Sequence, residues 1–265
     1  GTFTSVTAAS GFDSEDLFDG DSSSFNTVPL LGMEEYDQLS QEFRFTSPGG
    51  EFMDYIFGAF YQSSEMVFDE STPLVVRNGA LADAGRDLLG CMINMQTNVS
   101  ADLDKNFYMN SDAWSGFVQL TFNWSETLRT TLGLRYVREE KEGFRELFLY
   151  QSGTRNNVDP VTGAVLSALN IEAHELHRIR DVGVTLPSLN VQWNATPDVM
   201  TYFTATQGAK SGSFDARNNN ASEGPGGGGT NFEFEDELAT AYELGAKMTL
   251  ADGAAELNFA LYHVK

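Results

Sequence analysis

The sequence contains a single cysteine, no run of eighteen apolar residues and few basic side chains. One cysteine excludes a disulfide framework, and without a long apolar run this stretch holds no transmembrane helix. The chain has 16 Lys and Arg against 38 Asp and Glu, a formal net charge of −22. Nucleic-acid binding is therefore not expected, because contacts to phosphates need a basic surface.

The sequence also lacks a catalytic arrangement. No Ser/His/Asp set occurs in a strand–turn–helix context. Cys91 lies in an apolar stretch without a nearby histidine, which favours a packed side chain over a nucleophile. The glycine run 224–229 lacks the strand, helix and lysine of a phosphate-binding loop, so we interpret it as a flexible loop. We expect no enzyme activity, no cofactor and no metal site.

The clearest pattern that is present is a period of two over residues 114–142. From Trp114 to Trp124 the even positions are mainly apolar and the odd positions mainly polar. After the turn 125–127, apolar even positions from Leu128 to Tyr136 alternate with Arg129, Thr131 and Arg135. This period predicts two strands with one apolar and one polar face each. Alternating strands of about ten residues with aromatic ends are typical of outer-membrane barrels.

The rest of the chain extends this pattern to nine predicted strands. They cover 2–11, 38–47, 52–66, 112–124, 128–142, 185–195, 199–211, 239–250 and 254–265. Long connections (12–37, 67–111, 143–184, 212–238) alternate strictly with short ones (48–51, 125–127, 196–198, 251–253). Transmembrane barrels have short periplasmic turns and long extracellular loops. The predicted fold is therefore an all-β, antiparallel segment of a transmembrane β-barrel.

The charges on the predicted strands should face the barrel lumen, because a Lys or Arg facing lipid at mid-membrane costs about 2–4 kcal/mol. Buried charges are usually paired, so we expect these residues to form a structural network, with direct contact to a ligand as the alternative. They are Glu42, Arg44, Arg135, Glu243 and Lys247. The apolar set, including Val118, Leu120, Phe122, Leu132, Leu134, Leu244, Met248, Leu257 and Phe259, should face lipid. Strand 52–66 is apolar at both parities, which suggests a covered inner face.

The long connections hold the remaining features. The acidic runs 13–21 and 233–237 are interpreted as solvated loops, with divalent-cation binding as the alternative. Apolar residues at helical spacing predict a short helix over 80–95.

The candidate ligand-binding residues lie near the bases of these loops. Arg138, Lys141 and Lys210 are the nearest cations for an anionic ligand. His174 and His177 lie three positions apart beside Glu172 and Glu175. A metal site needs three or four ligands, so solvated histidines are expected, with ligand contact as the alternative.

Several segments resemble TonB-dependent outer-membrane receptors. They are SQEFRFTS (40–47) with YIFGAFY (55–61), TLGLRY (131–136), YFTATQGAKSGSF (202–214), and YELGAK (242–247) with LNFALY (257–262). The resemblance implies a Gram-negative outer-membrane protein whose 22-stranded barrel is occluded by an N-terminal plug. Residues 1–265 would be part of that barrel domain. The abrupt start of this sequence at Gly1, without a signal peptide, also suggests a part of a longer protein.

This resemblance implies the partners and the function as well. The expected partners are the plug of the same protein, an inner-membrane energy-coupling complex reached through segments outside this sequence, outer-membrane lipid and a siderophore or other small ligand. The favoured function is energy-coupled import of a ferric siderophore or a similar scarce nutrient. The alternatives are a passive outer-membrane porin and a secreted acidic β-sandwich that binds carbohydrate or calcium.

Overall fold

A computed structural model of the chain describes residues 1–19, 29–76, 99–221 and 232–265. The strands are β1 (Thr2–Asp19), β2 (Pro29–Thr46), β3 (Met53–Val76), β4 (Val99–Asn123), β5 (Leu128–Gln151), β6 (His174–Thr196), β7 (Val199–Lys210), β8 (Ser213–Phe214), β9 (Glu233–Phe234), β10 (Glu237–Leu250) and β11 (Ala255–Val264). One helix, α1 (Pro160–Ala168), lies between β5 and β6. Within these ranges no helix is both long enough and apolar enough to cross a membrane. The predicted helix at 80–95, Cys91 and the glycine run 224–229 lie outside the described residues.

Nine strands form one antiparallel sheet in the order β1-β2-β3-β4-β5-β6-β7-β10-β11, and β8 pairs with β9. Since each strand of the large sheet pairs with its neighbours in sequence, successive connections fall at alternate ends of the sheet. The short turns (47–52, 124–127, 197–198, 251–254) thus share one end, and the long connections share the other. The predicted all-β, antiparallel architecture is confirmed. The described sheet is open, with β1 and β11 at its two ends.

The strand register sorts side chains onto two faces. Leu132 lies opposite Leu189, and Phe203 lies opposite Leu244. We call this side the apolar face; its large side chains are exposed, with Leu134 at 48% and Phe259 at 61%. The opposite side, the polar face, carries Glu42, Arg44, Arg135, Glu243 and Lys247, the residues expected to face the lumen. A β-sandwich would bury its apolar face against a second sheet, so this exposed face favours a membrane barrel.

Two aromatic rows bound the apolar part of this face, which we call the membrane-height band. Phe52 and Trp124 pack at the short-turn end with ring centroids 5.4 Å apart, and Trp114 packs on Tyr136 at 5.5 Å. Trp114 and Trp124 lie ten positions apart on β4 and its turn, about the 9–11 residues with which a tilted strand crosses a bilayer. The apolar band thus has the height of a membrane.

The strands continue well beyond this band, and here the sequence prediction was wrong. The connections predicted over 12–37, 67–111 and 143–184 are strand for much of their length, and 143–184 also contains α1. On β4 the apolar positions change parity. They are even-numbered within the band, but on the side away from the short turns they are the odd-numbered Leu103, Phe107 and Met109. These three lie on the polar face because other segments cover that face there.

The acidic runs also differ from the prediction of solvated loops. Residues 13–19 belong to β1, where they pair with β2. In the run 233–237, Glu233 and Asp236 both bind Arg180 on β6. Charge alone did not reveal this pairing, because the arginine lies more than fifty positions away in the sequence.

The two faces can be distinguished with adjacent labels. In the intact protein with Cys91→Ser, we expect a nitroxide at Leu120→Cys to contact lipid and one at Thr121→Cys to contact water, because neighbouring strand residues point to opposite faces. Accessibility to oxygen and to a water-soluble nickel chelate, measured by electron paramagnetic resonance, provides the test. Higher nickel accessibility at 120 than at 121 would contradict the assignment.

Candidate functional site

The chain between β7 and β10 folds back over the polar face. We call its described part, residues 211–221 and 232–236, the strap. Phe214 and Phe232 of the strap stack at 5.0 Å and pack against Phe68, Phe107 and Leu176 of the sheet. All five side chains are buried. The strap is therefore a second layer with its own apolar core, beyond the membrane-height band.

A glycine on β5 makes room for this layer. A Cβ added to Gly143 would lie 2.2 Å from Cδ2 of Phe214. Atoms do not approach so closely, so only glycine allows the ring to rest on the strand backbone at this position. No local pattern around Gly143 indicates this requirement, because Phe214 lies far away in the sequence.

Two buried cations of the sheet bind the strap through hydrogen bonds to its backbone carbonyls. Lys105 Nζ lies 2.9 Å from Glu70 Oε1 and donates to the carbonyl oxygen of Arg217 at 2.7 Å. Arg145 is fully buried and donates to the carbonyl oxygens of Asp215 at 2.6 Å and Asn220 at 2.8 Å. Buried charges need such partners, because an unpaired one would carry a large desolvation cost.

These cations lie far from the membrane-height band. Lys105 is nine residues beyond Trp114 and Arg145 nine beyond Tyr136, about 30 Å along each strand at 3.4 Å per residue. Burial lowers the pKa of Lys105, although neighbouring Glu70 opposes that change. Burial also lowers the pKa of Arg145 to about 10, so it remains charged at neutral pH.

A third cation fixes the edge of the strap. Arg180 on β6 donates through Nη1 to Glu233 and through Nη2 to Asp236, 3.2 Å away. Asp236 also accepts the backbone N–H of Gly212 at 2.6 Å. The carboxylates of the strap thus neutralise a wall arginine, in contrast to the carbonyl contacts of Lys105 and Arg145.

Helix α1 covers the polar face beside the strap. Asp159 caps its first turn by accepting from the N–H groups of Val161 and Thr162, and Pro160 occupies the first turn. Val165 and Leu166 of the helix pack on Leu74, Ala101, Leu103 and Leu147 of β3, β4 and β5. The Asp-Pro pair is a sequence signal for the start of this helix, which was not among the predicted elements.

Of the three predicted loop-base cations, Lys141 and Lys210 lie on the polar face and Arg138 lies on the opposite one. Lys141 is on the polar face, where its Nζ donates to Ser211 Oγ at 3.0 Å and to the carbonyl oxygen of Gly212 at 2.9 Å. Lys210 is 73% exposed and lies 3.4 Å from Glu237. Arg138 lies on the apolar face, opposite Trp114 of the neighbouring strand. There it forms two hydrogen bonds with Asp181.

The two candidate histidines also lie on opposite faces. His174 contacts the buried cluster, where its Nε2 accepts from Nε of Arg145 at 3.1 Å. Burial lowers the pKa of His174, which favours the neutral imidazole. His177 is on the apolar face, 2.7 Å from Glu142. The part of the chain that the structure describes contains no group of three or more His, Cys, Asp or Glu side chains that could hold a metal.

Four of the five charges predicted to face the lumen have local partners on the polar face. Arg44 lies 3.3 Å from Glu42, and Glu243 accepts from the hydroxyl of Tyr202. Arg135 donates to Ser115 Oγ at 2.8 Å, with Phe60 and Phe117 rings about its guanidinium. Within strand 52–66, which is apolar at both parities, Phe60 thus lies under an arginine on the polar face. Lys247 lies near the short-turn end, beside Asp198 and Asn258.

An antiparallel sheet with an exposed apolar band, short turns at one end and inward-folded segments at the other defines an outer-membrane β-barrel wall. Residues 2–265 match the family described as TonB dependent receptor-like, beta-barrel. The chain belongs to this family, whose members are outer-membrane proteins of Gram-negative bacteria. No match is found among curated proteins.

Two solved structures share the fold. The ferric yersiniabactin uptake receptor FyuA from Yersinia pestis is 15% identical with a TM-score of 0.69, over 99% of this chain and 33% of that one. The siderophore receptor PiuA from Acinetobacter baumannii is 14% identical with a TM-score of 0.58, over 98% of this chain and 37% of that one. The chain thus spans about a third of the length of these receptors.

Proposed function

We propose that residues 1–265 form part of the wall of a larger barrel domain that imports a ferric siderophore or a similar scarce nutrient. The observation that carries this proposal is the strap, which covers the polar face with buried cations beneath it. Family membership and the siderophore receptors that share the fold support the choice of ligand class. The role is transport rather than catalysis.

The two faces suggest the partners. The apolar face contacts outer-membrane lipid, and the polar face lines the lumen. Its charges, from Glu42 and Arg44 to Glu243 and Lys247, contact a plug of the same protein. Energy comes from an inner-membrane complex acting through segments outside this sequence. Among the predicted ligand residues, Lys141, Lys210 and His174 remain in the proposed binding region, whereas Arg138 and His177 lie on the apolar face.

Replacing part of the strap tests this function. In the full-length receptor, a Gly/Ser linker in place of 212–236 would remove β8 and β9 while retaining β10. We expect binding to weaken at least about tenfold, roughly 1.4 kcal/mol, because the strap shapes the binding region. Binding and uptake of a panel of radiolabelled ferric siderophores, with haem and cobalamin for comparison, provide the measurement.

The matched control replaces the short turn 48–51 at the opposite end with a linker of equal length. It should leave binding unchanged, and both variants should still form heat-modifiable barrels. Unchanged binding in the strap variant would place ligand capture elsewhere. Uptake that continues without the inner-membrane energy source would instead indicate a passive porin.

A further inference from the structure

Among the described residues, β6 has a free edge on the side of β7 over 174–187. Its pairing with β7 ends at Ser188 opposite Thr206, whereas its pairing with β5 continues to His174. Above this point β7 pairs only with β10, as far as Lys210 opposite Glu237. The two strands separate around a cleft of about 190 Å³, with a lining that includes Val182, Val184, Leu186, Ala209 and Leu238.

Backbone geometry shows which groups face this cleft. The N–H of Asn194 donates to the carbonyl of Thr127 on the β5 side, so even-numbered residues of β6 point toward β5. Odd-numbered residues point toward β7 because successive residues of a strand alternate. Pro187 is odd-numbered and lacks an N–H, so the ladder stops there.

Beyond Pro187, the backbone groups of Thr185, Gly183, Asp181 and Ile179 point to the cleft. Within the described ranges, no backbone hydrogen bond joins them to β7 or to the strap. An acyl chain in the cleft would leave these groups unsatisfied, whereas an extended peptide segment would pair with them.

The nearest such segment is the start of the strap itself. Continuing the register from Ser188 opposite Thr206 places Ser213 opposite Asp181 and Asp215 opposite Ile179. Residues 211–217 are SGSFDAR, polar at odd positions and Gly, Phe or Ala at even ones. Odd positions would lie on the water-exposed outer side above the membrane, so the pattern suits a strand at this edge.

We propose that residues 211–217 have two positions: the strap over the polar face, and a strand that continues β7 along the free edge of β6. The connection allows this, because the following residues 218–236 span up to about 60 Å, while the added strand is about 24 Å long. In the strap position Phe214 is buried, and the strap carbonyls accept hydrogen bonds from Lys105 and Arg145. The strand position completes the wall and uncovers both cations.

Three disulfide pairs can distinguish the two positions in the full-length receptor in outer membranes, with Cys91→Ser as background. Ser213 Oγ lies 3.3 Å from Met109 Sδ, so Met109→Cys with Ser213→Cys reports the strap. Asp181→Cys with Ser213→Cys, and Ile179→Cys with Asp215→Cys, report the strand. Free thiols are counted by maleimide–polymer gel shift after mild oxidation.

We expect all three pairs to close, and both strand pairs to close about tenfold faster than a control of Glu140→Cys with Ser213→Cys, because a paired strand holds them at disulfide distance. Glu140 lies opposite Asp181 on the neighbouring strand, one strand farther from the cleft. Closure of the Met109 pair alone would overturn the proposal. Closure of the 181/213 pair without the 179/215 pair would show local loosening and overturn it too. Closure of the strand pairs without the Met109 pair, or a control that closes as fast as they do, would also overturn it.

Discussion

Replacing Arg145 with methionine should release the strap from the polar face. Arg145 donates to His174 and to the carbonyls of Asp215 and Asn220, and its guanidinium lies 5.0 Å from the ring centroid of Phe232. Hydrogen bonds to charged groups contribute about 1.5–3 kcal/mol each. Removing the buried charge also removes its desolvation cost, which offsets part of this loss.

A net loss of about 3 kcal/mol in strap stability corresponds to roughly a hundredfold increase in opening. The labelling rate of Ser213→Cys by a water-soluble maleimide, in the Cys91→Ser background, measures that opening. Arg135→Met is the matched control: it removes an arginine from the same strand and the same face, but one that bonds Ser115 rather than the strap. Equal labelling rates in the two variants would contradict the role assigned to Arg145.

The membrane-height part of each strand was predictable because lipid imposes one rule along its whole height. Every lipid-facing position from Trp114 to Trp124 must be apolar or small, so the period of two is visible in the sequence. The order of strands followed from the alternation of short and long connections. These features depend on local sequence, which is why sequence analysis recovered them.

Above the membrane the same alternation has a different cause. On β4 the outer side faces water there and the inner side faces the strap and α1, so Leu103 and Phe107 have the opposite parity to Trp114. Without knowledge of the covering layer, this change of parity resembles the end of a strand. The buried layer, rather than the membrane, determines this part of the fold.

The candidate site was the least predictable feature because its contacts are remote in sequence. Lys105 and Arg145 bind backbone carbonyls of the strap, 112 and 70 to 75 positions away. A carbonyl acceptor leaves no trace in the sequence, since any residue supplies one. Only the odd parity that Lys105 shares with Leu103 and Phe107 indicated that it belongs to a buried face.

Replacing Gly143 with alanine should displace the strap without changing any charge. The new methyl group would lie 2.2 Å from Cδ2 and 2.6 Å from Cγ of Phe214, so the ring must leave its position. Phe214 would then lose its stacking on Phe232 and its packing on the sheet. A fully buried Phe contributes about 1.5–3 kcal/mol, so Ser213→Cys labelling should rise roughly tenfold or more. Gly116→Ala is the matched control, since a Cβ there meets no atom within 4 Å.

A double-mutant cycle with Phe214→Ala separates this clash from a general effect of alanine on β5. If the ring is the cause, Gly143→Ala should raise labelling strongly in the native background and hardly at all once the ring is absent, because two contacting residues are not additive. Phe214→Ala alone should open the strap by a similar amount, as it loses the same packing. An equal effect of Gly143→Ala in both backgrounds would show that the strand itself is perturbed, and Phe214 would then not rest on Gly143 as the structure has it.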